Sequence, residues 1–337
     1  MTKGTKAFRI TISILLALSI IWGALMTVIF MFFATNYVHR DDYGIWVAGV
    51  LVTRENHEDI LGNGKVIYNP SSNTLIFENA VIETHGAVIQ SEIDLRIKLI
   101  GENKFVCTGG DYIPAIYAAD YSLDKDLSFE GDGSLTLEIQ NVTSNVQGIV
   151  AGNLIVSADI TITTPDCQNV VNGIVCGASL LVTNNTSVTV NNGAGANSTG
   201  VRVLGNAFFE EGSVLNVSVN PGAVDTCRGL SVNGDLIMGK DVSLTVSVDD
   251  ESAKVGECVR VTGLLEVGFG ATLTASAKKN HAIECYGSIL AKESSTVSAT
   301  TAGEASDIFC CGAVINYGAT VNAEIKTFGG EHNESVN

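Results

Sequence analysis

Proline and basic side chains are both scarce in this chain. Only 4 prolines occur in 337 residues, so few positions lack the N–H that a β-ladder needs. Aromatic residues make up 7% and include 2 tryptophans, which leaves few candidates for stacking on a sugar. Lys and Arg number 19 against 36 Asp and Glu. Four of those bases, Lys3, Lys6, Arg9 and Arg40, fall in the first 40 residues, where there is no acid, so residues 41–337 carry 15 basic and 36 acidic groups, a net of −21. A surface that acidic repels nucleic acid and anionic lipid, so nucleic acid is not an expected partner. It suits solubility, or cation binding.

Catalytic and cofactor motifs are missing too. There is no Walker loop, dinucleotide fingerprint, Gly-x-Ser-x-Gly elbow or His-Glu-x-x-His pair, and no Cys-x2-Cys pair to begin a zinc site. Asn192-Gly-Ala-Gly-Ala-Asn197 has the glycines of a tandem calcium repeat without its Asp. No catalytic residue, cofactor or metal is therefore assigned. Calcium stays open only through the densest acidic run, Asp249-Asp250-Glu251, which follows a strand and reads as a solvated turn, with a weak calcium or catalytic site as the alternative.

The chain does have a long apolar run near its start. Ile10 to Ala34 contains no charge, and at about 1.5 Å per residue it can cross a bilayer with room to tilt. Lys3, Lys6 and Arg9 flank one side; Tyr37, His39 and Arg40 mark the other. The positive-inside bias predicts a cytoplasmic N-terminus over 1–9, a transmembrane helix over 10–35, and an extracellular remainder on a single-pass cell-membrane protein. A cleaved signal peptide is the rival, but its apolar core is about 7–15 residues long and ends in a small-x-small site. Phe30 to Asn36 offers none.

Residues 41–100 read as a module that opens and caps the repeats beyond it. Tyr43–Thr53 alternates and turns at Gly49, Asn56–Ile60 suits one helical turn, Gly62-Asn63-Gly64 and Asn69–Asn73 suit turns, and Thr74–Phe77 suits a strand with Leu75 and Phe77 on one face. Trp46, Tyr68 and Phe77 are expected to cover the open end of the core, with stacking on a sugar as the alternative. Trp46-Val-Ala-Gly49, Thr53, Asn56, Asp59-Ile-Leu-Gly-Asn-Gly64, Tyr68-Asn-Pro70, Asn73-Thr-Leu75 and Asn79-Ala-Val-Ile82 together resemble the opening module of secreted or surface β-solenoid proteins of Gram-positive bacteria. Those proteins are often labelled carbohydrate-binding-domain-like. The resemblance implies a β-solenoid at the cell surface and a sugar as ligand; it implies no catalytic residue.

From about residue 101 to 327 the chain repeats. A glycine opens a short apolar strand at Gly148, Gly173, Gly200, Gly229, Gly287 and Gly312. The spacings are 25, 27, 29, 58 and 25 residues, the 58 being two repeats with Val259-Arg260-Val261 between. Inward positions fall one and three residues beyond the glycine: Ile149/Ala151, Ile174/Cys176, Val201/Val203, Leu230/Val232 and Ala313/Ile315. A second short strand comes next (Leu154–Val156, Leu180–Val182, Ala207–Phe209, Leu236–Met238, Leu264–Glu266). A third alternates cleanly (Val188–Val190, Leu215–Val219, Leu244–Val248, Leu273–Ala277). Three strands per turn, each meeting its counterpart one repeat later, predict an all-β right-handed parallel β-helix with rungs about 4.8 Å apart. Residues 328–337 form a tail.

Two sets of side chains stand out on this frame. Cys227, Cys258, Cys285 and Cys310 share a phase two residues before the repeat marker, where earlier repeats place Val146, Val171 and Ser198. They read as one buried ladder of thiols, because side chains in register on parallel strands point the same way and bridge poorly. Arg202, Arg228 and Arg260 fall on three successive repeats near one corner. With Asp249 and Asp250 they are the candidate ligand residues, as a basic stripe for an acidic sugar or as scattered surface charges. Three functions fit: a membrane-anchored surface protein that binds a glycan or envelope polymer, a stiff spacer or adhesin, and a polysaccharide lyase or hydrolase. A row of exposed aromatics along one sheet, drawn from Phe208, Phe209, Phe269, Tyr286 and Tyr317, would mark the first. Two carboxylates, or an acid with Arg or Lys, within about 10 Å on an outer face would mark the third. Oligomeric state is not legible.

Overall fold

The structure is a computed structural model. It describes residues 41–337 except 119–123, 221, 223–224, 328–332 and 336–337, together with the isolated positions Trp22 and Met26. Apart from those two positions, the cytoplasmic segment and the membrane helix expected over 1–35 lie outside the described residues, as does most of the tail.

Residues 43–337 form one compact unit. It is a parallel β-solenoid of about nine turns, and no helix occurs among its described residues. Three sheets wrap the core: sheet A and sheet B with twelve strands each, and sheet C with ten. One rung shows the plan. Thr226–Val232 lies in sheet A, Leu236–Met238 in sheet B and Ser243–Val248 in sheet C. Each pairs in parallel with the equivalent strand of the next rung, as in Leu244↔Leu273 and Val248↔Ala277. Apolar side chains alternate inward along sheet C while Thr, Ser and Asn face out. Among the described strands, antiparallel pairing is confined to the beginning. Asp42–Val47 runs against Ile89–Ser91, and Val66–Asn69 against Thr74–Glu78.

The expected N-terminal turns form. Ala48 and Gly49 take positive φ in the first hairpin, and Asp59 Oδ1 accepts the N–H groups of Asn63 and Gly64 at 2.9 and 2.8 Å. Tyr68, Leu75 and Phe77 are buried. Trp46 is not: its neighbours Ile45 and Val47 take the inward positions, so Trp46 faces out opposite Gln90, half-buried. Asn56–Ile60 is a turn in which the Asp59 N–H reaches the Asn56 carbonyl at 3.0 Å, and Asn56 Oδ1 accepts the Thr53 N–H.

Register corrects the repeat in three places. The glycine column runs Gly148, Gly173, Gly200, Gly229 and continues as Cys258 and Ala282, since Leu230 pairs with Val259 and Val259 with Ile283. Gly287 and Gly312 belong instead to the corner between sheets A and B. There a Cβ on Gly287 would lie 2.2 Å from the Gly263 carbonyl, and one on Gly312 2.5 Å from that of Gly287. Near Gly312 it is therefore Val314 that is buried, while Ala313 is exposed. In the sheet B strand two rungs earlier, Leu265 and Val267 face in, one residue later than expected.

The cysteines do not make one column. Cys227 follows Val146, Val171 and Ser198 as expected, but its next partner is Gly256. Cys258 occupies the glycine column. Cys285 and Cys310 stack on each other in the column of Cys176, Val203, Val232 and Val261. All four are buried, and all eight cysteines are free thiols. The shared phase arises because Cys227 is counted from the glycine column, Cys258 from Arg260 two residues past that column, and Cys285 and Cys310 from the corner glycines Gly287 and Gly312.

A polar ladder that the repeat marker conceals holds the corner between sheets A and B. Asp94 Oδ1 accepts the Asp126 N–H, Asp126 Oδ1 that of Asn153, and Asn153 Oδ1 that of Ser179; further along, Asn206 serves Asp235 and Asp235 serves Leu264. Each side chain thus satisfies a backbone donor one rung on, where the turn interrupts the sheet ladder.

Candidate functional site: the groove on sheet A

The groove begins with the glycine column. In Thr226–Val232 the core takes Cys227, Gly229, Leu230 and Val232, leaving Arg228 and Ser231 for the outer side. Alternation is broken because Gly229 and Leu230 face inward in succession, and such a break bends a strand as a bulge does. Glycine is required at the bend because the core is full there. A Cβ on Gly229 would lie 2.2 Å from Val246 Cγ1, and one on Gly200 2.2 Å from Val217 Cγ1. Where Cys258 replaces the glycine, Val246's counterpart in sheet C is Ala275; where Ala282 does, it is Ala299. The volume moves from one side of the core to the other.

Above the bent strands lies a hollow of about 400 Å³, lined by residues on both sides of the glycine column in four successive rungs. Asn172, Asn197, Thr199, Thr226, Ser231 and Asn233 supply uncharged donors and acceptors, and Arg202, Arg228 and Arg260 supply the charge. The three arginines expected to form a stripe do share this surface, though not one column. Arg202, Ser231 and Arg260 stack in register on one side of the bend, and Arg228 stands on the other between Thr199 and Glu257. The six polar lining residues and Glu257 are not foreseen from the sequence. Reading the residues one before and two after each glycine as outward columns would have found Asn172, Thr199 and Ser231, but not Asn197, Thr226, Asn233 or Glu257.

Charge is distributed unevenly along the groove. Glu257, 8% exposed, accepts from Arg228 Nε through Oε2, and the same oxygen lies 3.7 Å from Arg260 Nε. Arg260 Nε is buried with no hydrogen-bond partner among the described residues. Its guanidinium sits 5.2 Å from the Tyr286 ring centroid. Glu284, next to Arg260 in register, accepts from the Tyr286 hydroxyl at 2.9 Å. Burial, and then a hydrogen bond to the neighbouring Glu257 carboxyl, push the Glu284 carboxyl above its ordinary range, against the opposing effects of Tyr286 and Arg260. Arg202, at the other end, is exposed and has no ion-pair partner among the described residues.

Asp249 and Asp250 lie elsewhere, in the corner between sheets C and A, and Asp250 is not solvated. It is fully buried. Its Oδ1 accepts the N–H groups of Lys278 and Lys279 at 2.8 Å each, and its Oδ2 accepts from Asn280 N and Nδ2 at 2.9 Å each. With both oxygens engaged by donors, Asp250 has no lone pair left to offer calcium. Asp249 binds Lys278 Nζ at 2.5 Å. Among the described residues no group of three or more His, Cys, Asp or Glu is arranged to hold a metal. The candidate aromatics make no row. Phe208 lies on the outer face of sheet B, Phe269, Tyr286 and Tyr317 are exposed in turns, and Phe209 is buried.

Fold and site together define a parallel β-solenoid with a polar, arginine-bearing groove on one sheet. Comparison of the chain with protein-family models, curated proteins and solved structures gives no match.

Proposed function

We propose that the chain is a single-pass, cell-surface β-solenoid that binds a glycan or another envelope polymer in the groove on sheet A. The observation that carries this reading is the groove: a polar hollow drawn from four successive rungs, with three arginines and six uncharged hydrogen-bonding side chains. The apolar run Ile10–Ala34 supports a membrane anchor with the N-terminus in the cytoplasm and the solenoid outside. The resemblance over residues 46–82 to surface proteins of Gram-positive bacteria supports the same placement. The coil is read as right-handed, the hand that parallel crossovers adopt in nearly all cases.

A second reading, cleavage of a polysaccharide, is favoured by one observation. The carboxyls of Glu257 and Glu284 meet beside Arg260 on an outer face. Against hydrolysis stands the ion pair that commits the Glu257 carboxylate to Arg228, where a glycosidase needs both carboxyl groups for the glycosidic bond. The test uses the full chain in detergent micelles on an array of glycans and cell-envelope polymers, with release of new reducing ends measured in parallel. Binding without cleavage is expected. Binding to nothing on the array would sink the reading and leave the stiff spacer or adhesin.

A further inference from the structure

The groove has features that point to the charge of its ligand. None of its ten lining residues is aromatic, and the neighbouring Tyr286 ring is engaged by the Arg260 guanidinium, 5.2 Å from its centroid. Residues 41–337 have more than twice as many acids as bases, and many of the bases are spent in ion pairs such as Arg96–Glu130, Lys240–Glu211 and Lys254–Asp225. Three arginines nonetheless converge on one hollow. Among the described residues Arg202 has no ion-pair partner, Arg260 has a buried Nε without a hydrogen-bond partner, and a single carboxylate, Glu257, serves both Arg228 and Arg260. A planar guanidinium left with free N–H groups is suited to bidentate contact with carboxylate or phosphate.

Register adds a spacing. Arg202 and Arg260 stand in one column two rungs apart, with Ser231 between them, which places their Cα atoms about 10 Å from each other along the solenoid axis. The hollow takes lining residues from four successive rungs in that direction, with hydroxyl and amide side chains between the arginines. At that spacing a chain that carries acid groups at intervals can meet both arginines.

We infer that the groove takes a polyanionic envelope polymer laid along the solenoid axis, with Arg202 and Arg260 as its paired acid contacts and Glu257 as the resident counter-ion that the polymer displaces from Arg228 and Arg260. This inference rests on the groove being a polymer site, and adds the charge of the ligand and its direction. Glu257 acts as an internal competitor. It holds Arg228 and Arg260 in place when the groove is empty, and it lowers affinity for any ligand acid that must replace it.

The experiment measures binding of the full chain in detergent micelles to polygalacturonate, to poly(glycerol phosphate) and to neutral dextran by calorimetry. It uses the native sequence, Arg202→Ala and Glu257→Gln. At least one polyanion is expected to bind and dextran not to; which one binds tells carboxylate from phosphate chemistry. Arg202→Ala, which removes an exposed side chain with no ion pair, is expected to weaken binding at least tenfold with an unchanged unfolding temperature. Glu257→Gln is expected to tighten it severalfold. Dextran bound as tightly as the polyanions, or affinity unaltered in Arg202→Ala, would overturn the inference while leaving a polymer site in place. Binding of no polymer would remove the groove reading itself.

Discussion

Asp250 combines zero exposure with four N–H donors, and all four belong to residues 278–280, one rung further along. Burial by itself would raise its pKa, but the hydrogen bonds from Asn280, Lys279 and Lys278 outweigh that and hold the carboxyl below its ordinary range. The linkage has a definite sign. A depressed folded pKa means that Asp250 contributes stability at pH values above its unfolded pKa of about 3.9, and that this contribution disappears as pH falls through the lower folded value. Asp250→Asn replaces acceptor oxygen with an amide donor facing N–H groups, and is expected to cost about 3 kcal/mol at neutral pH. Urea unfolding followed by circular dichroism checks this, and the gap between variant and native protein should narrow toward pH 3. An undiminished gap would mean that the charge is not what matters. Local sequence cannot reveal this role. Three consecutive acids after a strand look like a solvated turn, and the donors that claim Asp250 are distant in sequence.

The sheet A strand is the element that links core to groove. Its glycine is visible in the sequence at Gly148, Gly173, Gly200 and Gly229, but for the last three the reason lies in sheet C, where Val190, Val217 and Val246 take the space a Cβ would need. Gly229→Ala is expected to destabilise by about 1–3 kcal/mol through overpacking. Combining it with Val246→Ala should recover at least about 1 kcal/mol relative to the sum of the single changes, because the next rung already uses that exchange in Cys258 and Ala275. Purely additive costs in thermal unfolding would show that the two positions do not share one volume. The corner between sheets B and C shows the same interdependence. Asn185 and Asp241 take positive φ, and their side-chain oxygens fill the space above Gly212 and Gly270, themselves at φ of +70° and +65°. An Asn or Asp in one rung thus calls for glycine in the next, a pattern that period-counting overlooks because it alternates.

At the scale of the molecule, three sheets close a continuous hydrophobic core, and the thiols report on it. Burial pushes the Cys107 and Cys227 thiols up to about 12 and raises Cys176 and Cys258 as well. A thiol reagent at pH 8 is expected to label only the half-buried Cys167 and Cys311 in the native protein, and all eight cysteines after denaturation. Four or more labelled without denaturant would contradict a closed core. The sequence by itself determined that the chain builds a parallel β-solenoid. Apolar alternation with period two, repeated at intervals of 25 to 31 residues, leaves each rung an unsatisfied face that only its neighbour can cover. It also placed an uncharged run long enough for a bilayer ahead of that coil. Only the tertiary structure decided which positions share a column, because corners of unequal length shift the count. That register split the cysteines, moved Gly287 and Gly312 to another corner, buried Asp250 and turned Trp46 outward. It also set Arg202, Arg228 and Arg260 around one hollow with Glu257 between two of them. Proximity across rungs depends on how many residues each turn spends at its corners, and no local pattern in the chain encodes that sum.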